Sequence, residues 1–287
     1  MGAHRYTLLD VFTATPLEGN ALAVVHDADE LDAPMMHAVA RETRLSETTF
    51  VQRADVAGAD YRNRIWTVER ELPFAGHPSL GTAVAMARAE YGQASQQVRY
   101  VQQTGAGLQP IDVRLDGPHG AHASMLQEPA VHGAELPRSQ VVQAIGLTPE
   151  HADRALPPQL VGSGLTQLIV PLRDLDALAR ARPDWQAVER LLAANGATIL
   201  YAAVCDPAAA HARTRAFVSA AVGEDPATGS AAGPLCAYLA ARADCPALTI
   251  EQGIELRRPS RLEAAMEGER PRVGGRVVVV GDGTLHL

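Results

Sequence analysis

Alternation of hydrophobic and polar positions runs through most of this chain, and it predicts many short strands. Before the middle of the sequence these cover residues 6–12, 22–26, 61–68, 98–104, 109–115 and 122–127, with 45–51 passing from a loop into a strand. Later they cover 198–204, 213–218, 248–252, 261–266 and 276–280. Ordinary helices are expected from Asp32, which can cap a first turn holding Pro34, to about Glu42, and at 138–146, 174–181 and 184–195, the last stopped by Asn195-Gly196. Residues 129–137 read as a linker.

Two helices break the amphipathic rule. Residues 78–91 and 231–241 carry small apolar side chains on nearly every face. A helix that is apolar all round is buried on all sides. With strands on both flanks, each half predicts a sheet wrapped round a central helix.

Each of these helices opens from a Gly/Pro turn. One is Pro73-Phe74-Ala75-Gly76-His77-Pro78-Ser79, the other Asp225-Pro226-Ala227-Thr228-Gly229-Ser230. A helix start leaves backbone N–H groups free, where an anion can be held. If the two turns faced each other they would form a small acid-binding site. The strands ahead of them also match: Arg62, Arg64 and Trp66 fall about 151 residues before Arg213, Arg215 and Phe217. An internal duplication fits this pattern; a single α+β domain with two unrelated turns is the alternative.

Composition removes several chemistries. All 25 basic residues are arginines, so Schiff-base, pyridoxal-phosphate and P-loop lysine roles are unavailable. Net charge is −8, which gives no sign of a nucleic-acid partner. Three cysteines without CxxC spacing argue against a disulfide framework or a zinc site and suit a reducing cytoplasm. No apolar run is long enough to span a membrane and no signal core opens the chain. No GxGxxG opens a βαβ unit. His119-Gly120-Ala121-His122 has metal-like spacing but reads as a turn without a third ligand, and Cys236 reads as core.

Among residues able to do chemistry, His77 stands at a helix start, which favours neutral imidazole, or it is simply a cap. Asp225 lies just outside the other helix and can either complement its dipole or act on a ligand. Ser230 is not in a GxSxG elbow, so hydrogen bonding suits it better than nucleophilic attack. Glu47 enters an apolar strand; partial burial there would raise its pKa toward the range of a general acid/base.

At Leu45-Ser46-Glu47-Thr48-Thr49-Phe50-Val51, Glu71 to Ala83, Gln103-Thr104-Gly105-Ala106-Gly107, Glu224 to Gly233, Gln252-Gly253 and Arg258-Pro259-Ser260 the sequence resembles the PhzF family of phenazine biosynthesis-like proteins. The resemblance implies an α+β fold of two pseudo-symmetric lobes. Each is a β-barrel-like, mostly antiparallel sheet around a central buried helix, as in diaminopimelate epimerase. The lobes are expected at 1–126, joined by the last strand at about 275–287, and at 127–274. It further implies a homodimer, no cofactor and no metal, and an isomerase that shifts a proton between ring carbons of trans-2,3-dihydro-3-hydroxyanthranilate.

By position, Glu47 matches the family's acid/base, while His77, Asp225 and Ser230 match residues that position substrate and assist proton transfer. The catalytic set is then Glu47, His77 and Asp225. Asn20, Ser46, Gly76, Pro78, Thr228, Gly229 and Ser230 complete a site for a small carboxylate. Related epimerases place a cysteine at each turn; neither turn has one here, and the base Glu47 is expected from a loop outside both. An epimerase or racemase pairing Glu47 with Asp225, and a non-catalytic small-molecule-binding protein, are the alternatives.

Overall fold

A helix with no polar face must be surrounded, and in the computed structural model, which describes residues 2–287, strands surround two of them. The chain divides into two units. One takes the chain up to Met125 together with Gly274–Leu287, and the other is Leu126–Val273.

The first unit contains β1 (Ala3–Val11), β2 (Asn20–Val25), α1 (Ala33–Thr43), β3 (Glu47–Gln52), β4 (Tyr61–Trp66), β5 (Glu71–Leu72), α2 (Gly76–Tyr91), β6 (Gln96–Thr104), β7 (Gly107–Asp116) and β8 (Gly120–Leu126). Pairing runs β1–β2–β3–β4–β6–β7–β8, antiparallel except at β2–β3 and β4–β6. The end of the chain closes the ring by pairing with both β1 and β8. Helix α2 lies within this eight-strand barrel, with Leu80, Ala83, Val84, Ala85 and Ala87 all buried. Gly81 lets it approach the wall, since a Cβ there would lie 2.5 Å from Leu22 Cδ2.

The second unit contains β9 (Val131–Glu135), α3 (Arg138–Gln143), β10 (Gln159–Gly162), β11 (Thr166–Pro171), α4 (Leu175–Arg180), α5 (Trp185–Ala194), β12 (Leu200–Asp206), β13 (His211–Ser219), β14 (Gly223–Asp225), α6 (Gly229–Ala243), β15 (Ala247–Gln252), β16 (Ser260–Glu267) and the start of β17 (Arg270–His286), whose remainder belongs to the first unit. The pattern repeats: β11–β12 and β13–β15 are parallel, as β2–β3 and β4–β6 are. Gln127 N–H donates to Pro271 C=O at 2.8 Å and Ala130 N–H to Glu269 C=O at 2.9 Å, closing this ring beside β9. Helix α6 sits inside, apolar and buried from Ala231 to Leu239. Helices α3, α4 and α5 cover one side of β11–β13 with Val141, Val142, Leu178, Val188 and Leu192.

The matched arginines show the duplication in physical terms. Arg64 forks onto Glu71 at 2.7 Å and lies over the Trp66 ring; Arg215 forks onto Glu224 at 2.8 and 2.7 Å and lies over Phe217. In each unit this pins a short return strand, β5 or β14, to its partner.

The pattern misled at three places. Residues 129–137 hold β9 and not only a linker; all five of its side chains are exposed, so no alternation marks it. β10 and β11 were absent from the expected elements. Their segments are short, polar glutamines occupy buried positions, and Pro171 ends the second. The final strand is much longer than 276–280, because Gly274, Gly281 and Gly283 hide its period.

Gly274 is where the closing strand meets β8. An added Cβ would lie 2.6 Å from the Ala123 carbonyl oxygen and 3.0 Å from Ser124 Cα, both main-chain atoms that cannot swing away. Gly274→Ala is expected to cost about 1–3 kcal/mol of stability by overpacking, read from urea unfolding; an unchanged midpoint would contradict this account of barrel closure.

Candidate active site

Glu47 is the first residue of β3, in register with Leu22 of β2, and not part of a loop. It is within the repeated architecture. Thr48 faces Trp66 as Leu200 faces Phe217, so the counterpart of Glu47 is the residue before Leu200, the apolar Ile199. The fold repeats and the carboxylate does not. Its side chain is 16% exposed, while Oε2, the oxygen that faces His77, is buried.

His77 is the second residue of α2 and is 6% exposed. Its Nε2 lies 3.4 Å from Glu47 Oε2, and its Nδ1 lies 3.2 Å from the Asn20 amide nitrogen. Burial pushes the imidazole down to about 3, against a smaller upward pull from the Ala21 carbonyl. The ring is therefore neutral at physiological pH, as its place at a helix start suggested, but burial is the main reason. Glu47 and the neutral His77 therefore lie side by side without an ion pair.

Asn20, fully buried at the start of β2, links this pair to Ser46, whose Oγ donates to Asn20 Oδ1 at 3.5 Å. Gly76 and the buried Pro78 flank His77 in the first turn of α2. A proline there costs nothing, because first-turn N–H groups have no intrahelical partner. The structure thus brings Glu47, His77, Asn20, Ser46, Gly76 and Pro78 together in the first unit.

Asp225, Thr228, Gly229 and Ser230 gather in the second. Thr228 is the N-cap residue of α6, and its hydroxyl donates to Asp225 Oδ2 at 2.6 Å. Pro234 cannot donate to the Ser230 carbonyl one turn earlier, and the buried Gln167 amide does so instead at 3.4 Å.

Sequence reasoning gave no role to the residues behind these turns. Gln102 on β6 donates to Ser79 Oγ at 2.7 Å and accepts from Asn63 at 3.0 Å; Ser79 in turn donates to the Ala75 carbonyl. Gln252 on β15 donates to the Asp225 carbonyl at 2.7 Å and to Thr228 Oγ1 at 2.9 Å, and accepts from Tyr201 at 2.9 Å. A signal was present: both glutamines lie in the inward phase of alternating strands, with Tyr100 and with Leu248 and Ile250. Among the described residues no three or more His, Cys, Asp or Glu side chains are grouped to hold a metal ion.

A family model described as phenazine biosynthesis-like protein matches residues 9–286. The chain belongs to the phenazine biosynthesis-like (PhzF) family. A trans-2,3-dihydro-3-hydroxyanthranilate isomerase of Pseudomonas aeruginosa is 38% identical, over 98% of this chain and 96% of that one. Among solved structures, a predicted epimerase from P. aeruginosa superposes with a TM-score of 0.86 at 34% identity over 99% of both chains. A PhzF-family protein of Bacillus anthracis does so at 0.86 with 26% identity over the full length of both. This PhzF protein is an isomerase, as its full-length relatives are. No helix among the described residues is long and apolar enough to cross a membrane.

The low His77 value fixes the sign of a pH effect. The folded ring resists protonation down to about 3, while the unfolded ring accepts a proton near 6.5, so the unfolded state binds more protons between these values. Stability from this group is full above about 6.5 and falls as pH drops toward about 3, at up to about 1.4 kcal/mol per pH unit. In urea titrations across that window, His77→Gln is expected to lose this part of the slope. Equal slopes in the two proteins would show that His77 is not the group responsible.

Proposed function

We propose that this PhzF isomerase moves a proton between two carbons of a small, carboxylate-bearing cyclic substrate of the trans-2,3-dihydro-3-hydroxyanthranilate type, using Glu47 as the single acid/base and no cofactor. The observation that carries the reading is the pairing of a partly exposed Glu47 with a buried, neutral His77. Glu47 takes the proton from an acidic C–H bond, the electron pair moves through the adjacent double bond, and the same carboxyl returns a proton to another carbon. No net proton or electron is gained. His77 stays neutral throughout and can hydrogen-bond the substrate where charge develops. Asn20 and Ser46 orient His77, while Gly76 and Pro78 shape the turn.

Asp225, Thr228, Gly229 and Ser230 are proposed to hold the substrate's polar groups. Their roles rest on matching the family's motif, with support from the ordered carboxylate of Asp225 and from the helix start, where N–H groups favour an anion. Ile199 at the counterpart of Glu47 favours one base over two-base inversion. We further propose a cytoplasmic homodimer. The dimer rests on the family resemblance and is checked by sedimentation. The compartment rests on the odd, unspaced cysteines and is checked by fractionation.

Incubation with trans-2,3-dihydro-3-hydroxyanthranilate in heavy water tests the assignment. The wild type is expected to incorporate deuterium at carbon as product forms. Glu47→Gln is expected to lose turnover by at least about a hundredfold, since general acid/base groups contribute roughly 10²–10⁴, while still binding substrate. A Gln variant with full turnover would falsify the role of Glu47, and inversion at one carbon without a double-bond shift would favour an epimerase.

A further inference from the structure

We propose that Gln252 is a positioning residue of the reaction: its side-chain amide fixes the Asp225–Thr228 turn and aims the Thr228 hydroxyl at the Asp225 carboxylate. The inference rests on the reading that Asp225 serves the substrate.

Gln252 is fully buried at the end of β15 and spends every hydrogen-bonding group it has. Its two amide protons go to the Asp225 main-chain carbonyl at 2.7 Å and to Thr228 Oγ1 at 2.9 Å. Its carbonyl oxygen accepts from Tyr201 Oη at 2.9 Å and from the Thr228 main-chain N–H at 3.3 Å. Thr214 Oγ1 lies against the same oxygen and against Tyr201 Oη, at 3.4 and 3.0 Å. An amide can meet this demand because it donates and accepts at once; a carboxylate in its place would meet two acceptors.

The direction of these bonds matters. A hydroxyl has one proton. Thr228 Oγ1 accepts from Gln252, so its own proton is free to go to Asp225 Oδ2, 2.6 Å away. The chain Gln252 to Thr228 to Asp225 thus sets both where the carboxylate sits and which oxygen is already engaged. Gly253 completes the clamp. It has a φ of +77°, and a Cβ there would lie 2.5 Å from the Pro226 carbonyl oxygen, in the middle of the same turn.

The first unit has the same device with a different output. Gln102, touched by Asn63 at the counterpart of Thr214, reaches Ser79 within α2 and not the residue that carries charge. There the amide steadies a helix start; in the second unit it also orients an acid.

The test is steady-state turnover of trans-2,3-dihydro-3-hydroxyanthranilate by the full-length protein, with Gln252→Met, Thr228→Val and the double variant, each checked for a cooperative melt. Gln252→Met is expected to lower kcat/KM on the order of 10–100-fold, as small misplacements in active sites do. Because the two residues act in one chain, the double variant is expected to be no worse than the weaker single one. Thr228→Ser, which keeps the hydroxyl, is expected to retain most of the rate. A folded Gln252→Met with wild-type kcat and KM, or losses that multiply in the double variant, overturns the proposal. Should Gln252→Met fail to fold, Tyr201→Phe loosens the same amide from behind. A severalfold drop in kcat/KM there supports the proposal, and unchanged kinetics overturns it. Absence of any turnover by the wild type would sink the proposed substrate and with it the positioning role in that reaction, whereas a normal wild type beside an unaffected Gln252→Met sinks only the positioning role.

Discussion

Everything in this protein follows from placing an apolar helix inside a ring of strands. Helices α2 and α6 are rich in alanine, glycine and small aliphatic side chains, with Tyr238 of α6 a buried exception, because a barrel interior leaves little room around a helix. Enclosure has a second effect at the helix starts. Polar side chains are buried there with the helix, and each needs a hydrogen-bond partner from the wall. Gln102, held by Asn63, donates to Ser79 in one unit, and Gln252, held by Tyr201, donates to Thr228 in the other. The chemistry then sits at the place where the fold already gathers polar groups.

Function needs that symmetry to fail. The structural parts of the duplication are kept closely, down to the guanidinium of Arg64 or Arg215 held between a glutamate and an aromatic ring. The residues proposed to act on the substrate are not. One unit carries Glu47 and the other Ile199; one helix start carries His77 and the other the Asp225–Thr228 pair. Two equal bases would suit exchange of a proton across the two faces of one carbon. A single carboxylate beside a neutral imidazole suits removal and return on one side.

Much of this was legible in the sequence. The two small-residue helices announced their own burial, and the arginine spacing pointed to the repeat. What was not legible came from residues whose partners lie far away along the chain. β9 has no buried side chain to mark it, and β10 and β11 place glutamines where the pattern expects apolar groups. Neutrality of His77 could be argued from helix position, but the stronger cause, loss of solvent, depends on how the barrel closes over it. The role of Gln252 was hidden for the same reason. Its bonds to Asp225 and Thr228 span more than twenty residues, and only pairing of β13 with β15 brings them together.

The closing strand has a bearing on how the molecule is made. Residues after Val273 pair with β1 and β8, yet they follow every strand of the second unit in the order of synthesis. Until then the first unit has seven of its eight staves and two open edges, while every strand of the second has already been synthesised. Order of synthesis and order of completion are thus reversed: of the two units, the one that emerges first is finished after the other, and the nascent chain must keep β1 and β8 from pairing with other molecules until residues 274–287 arrive.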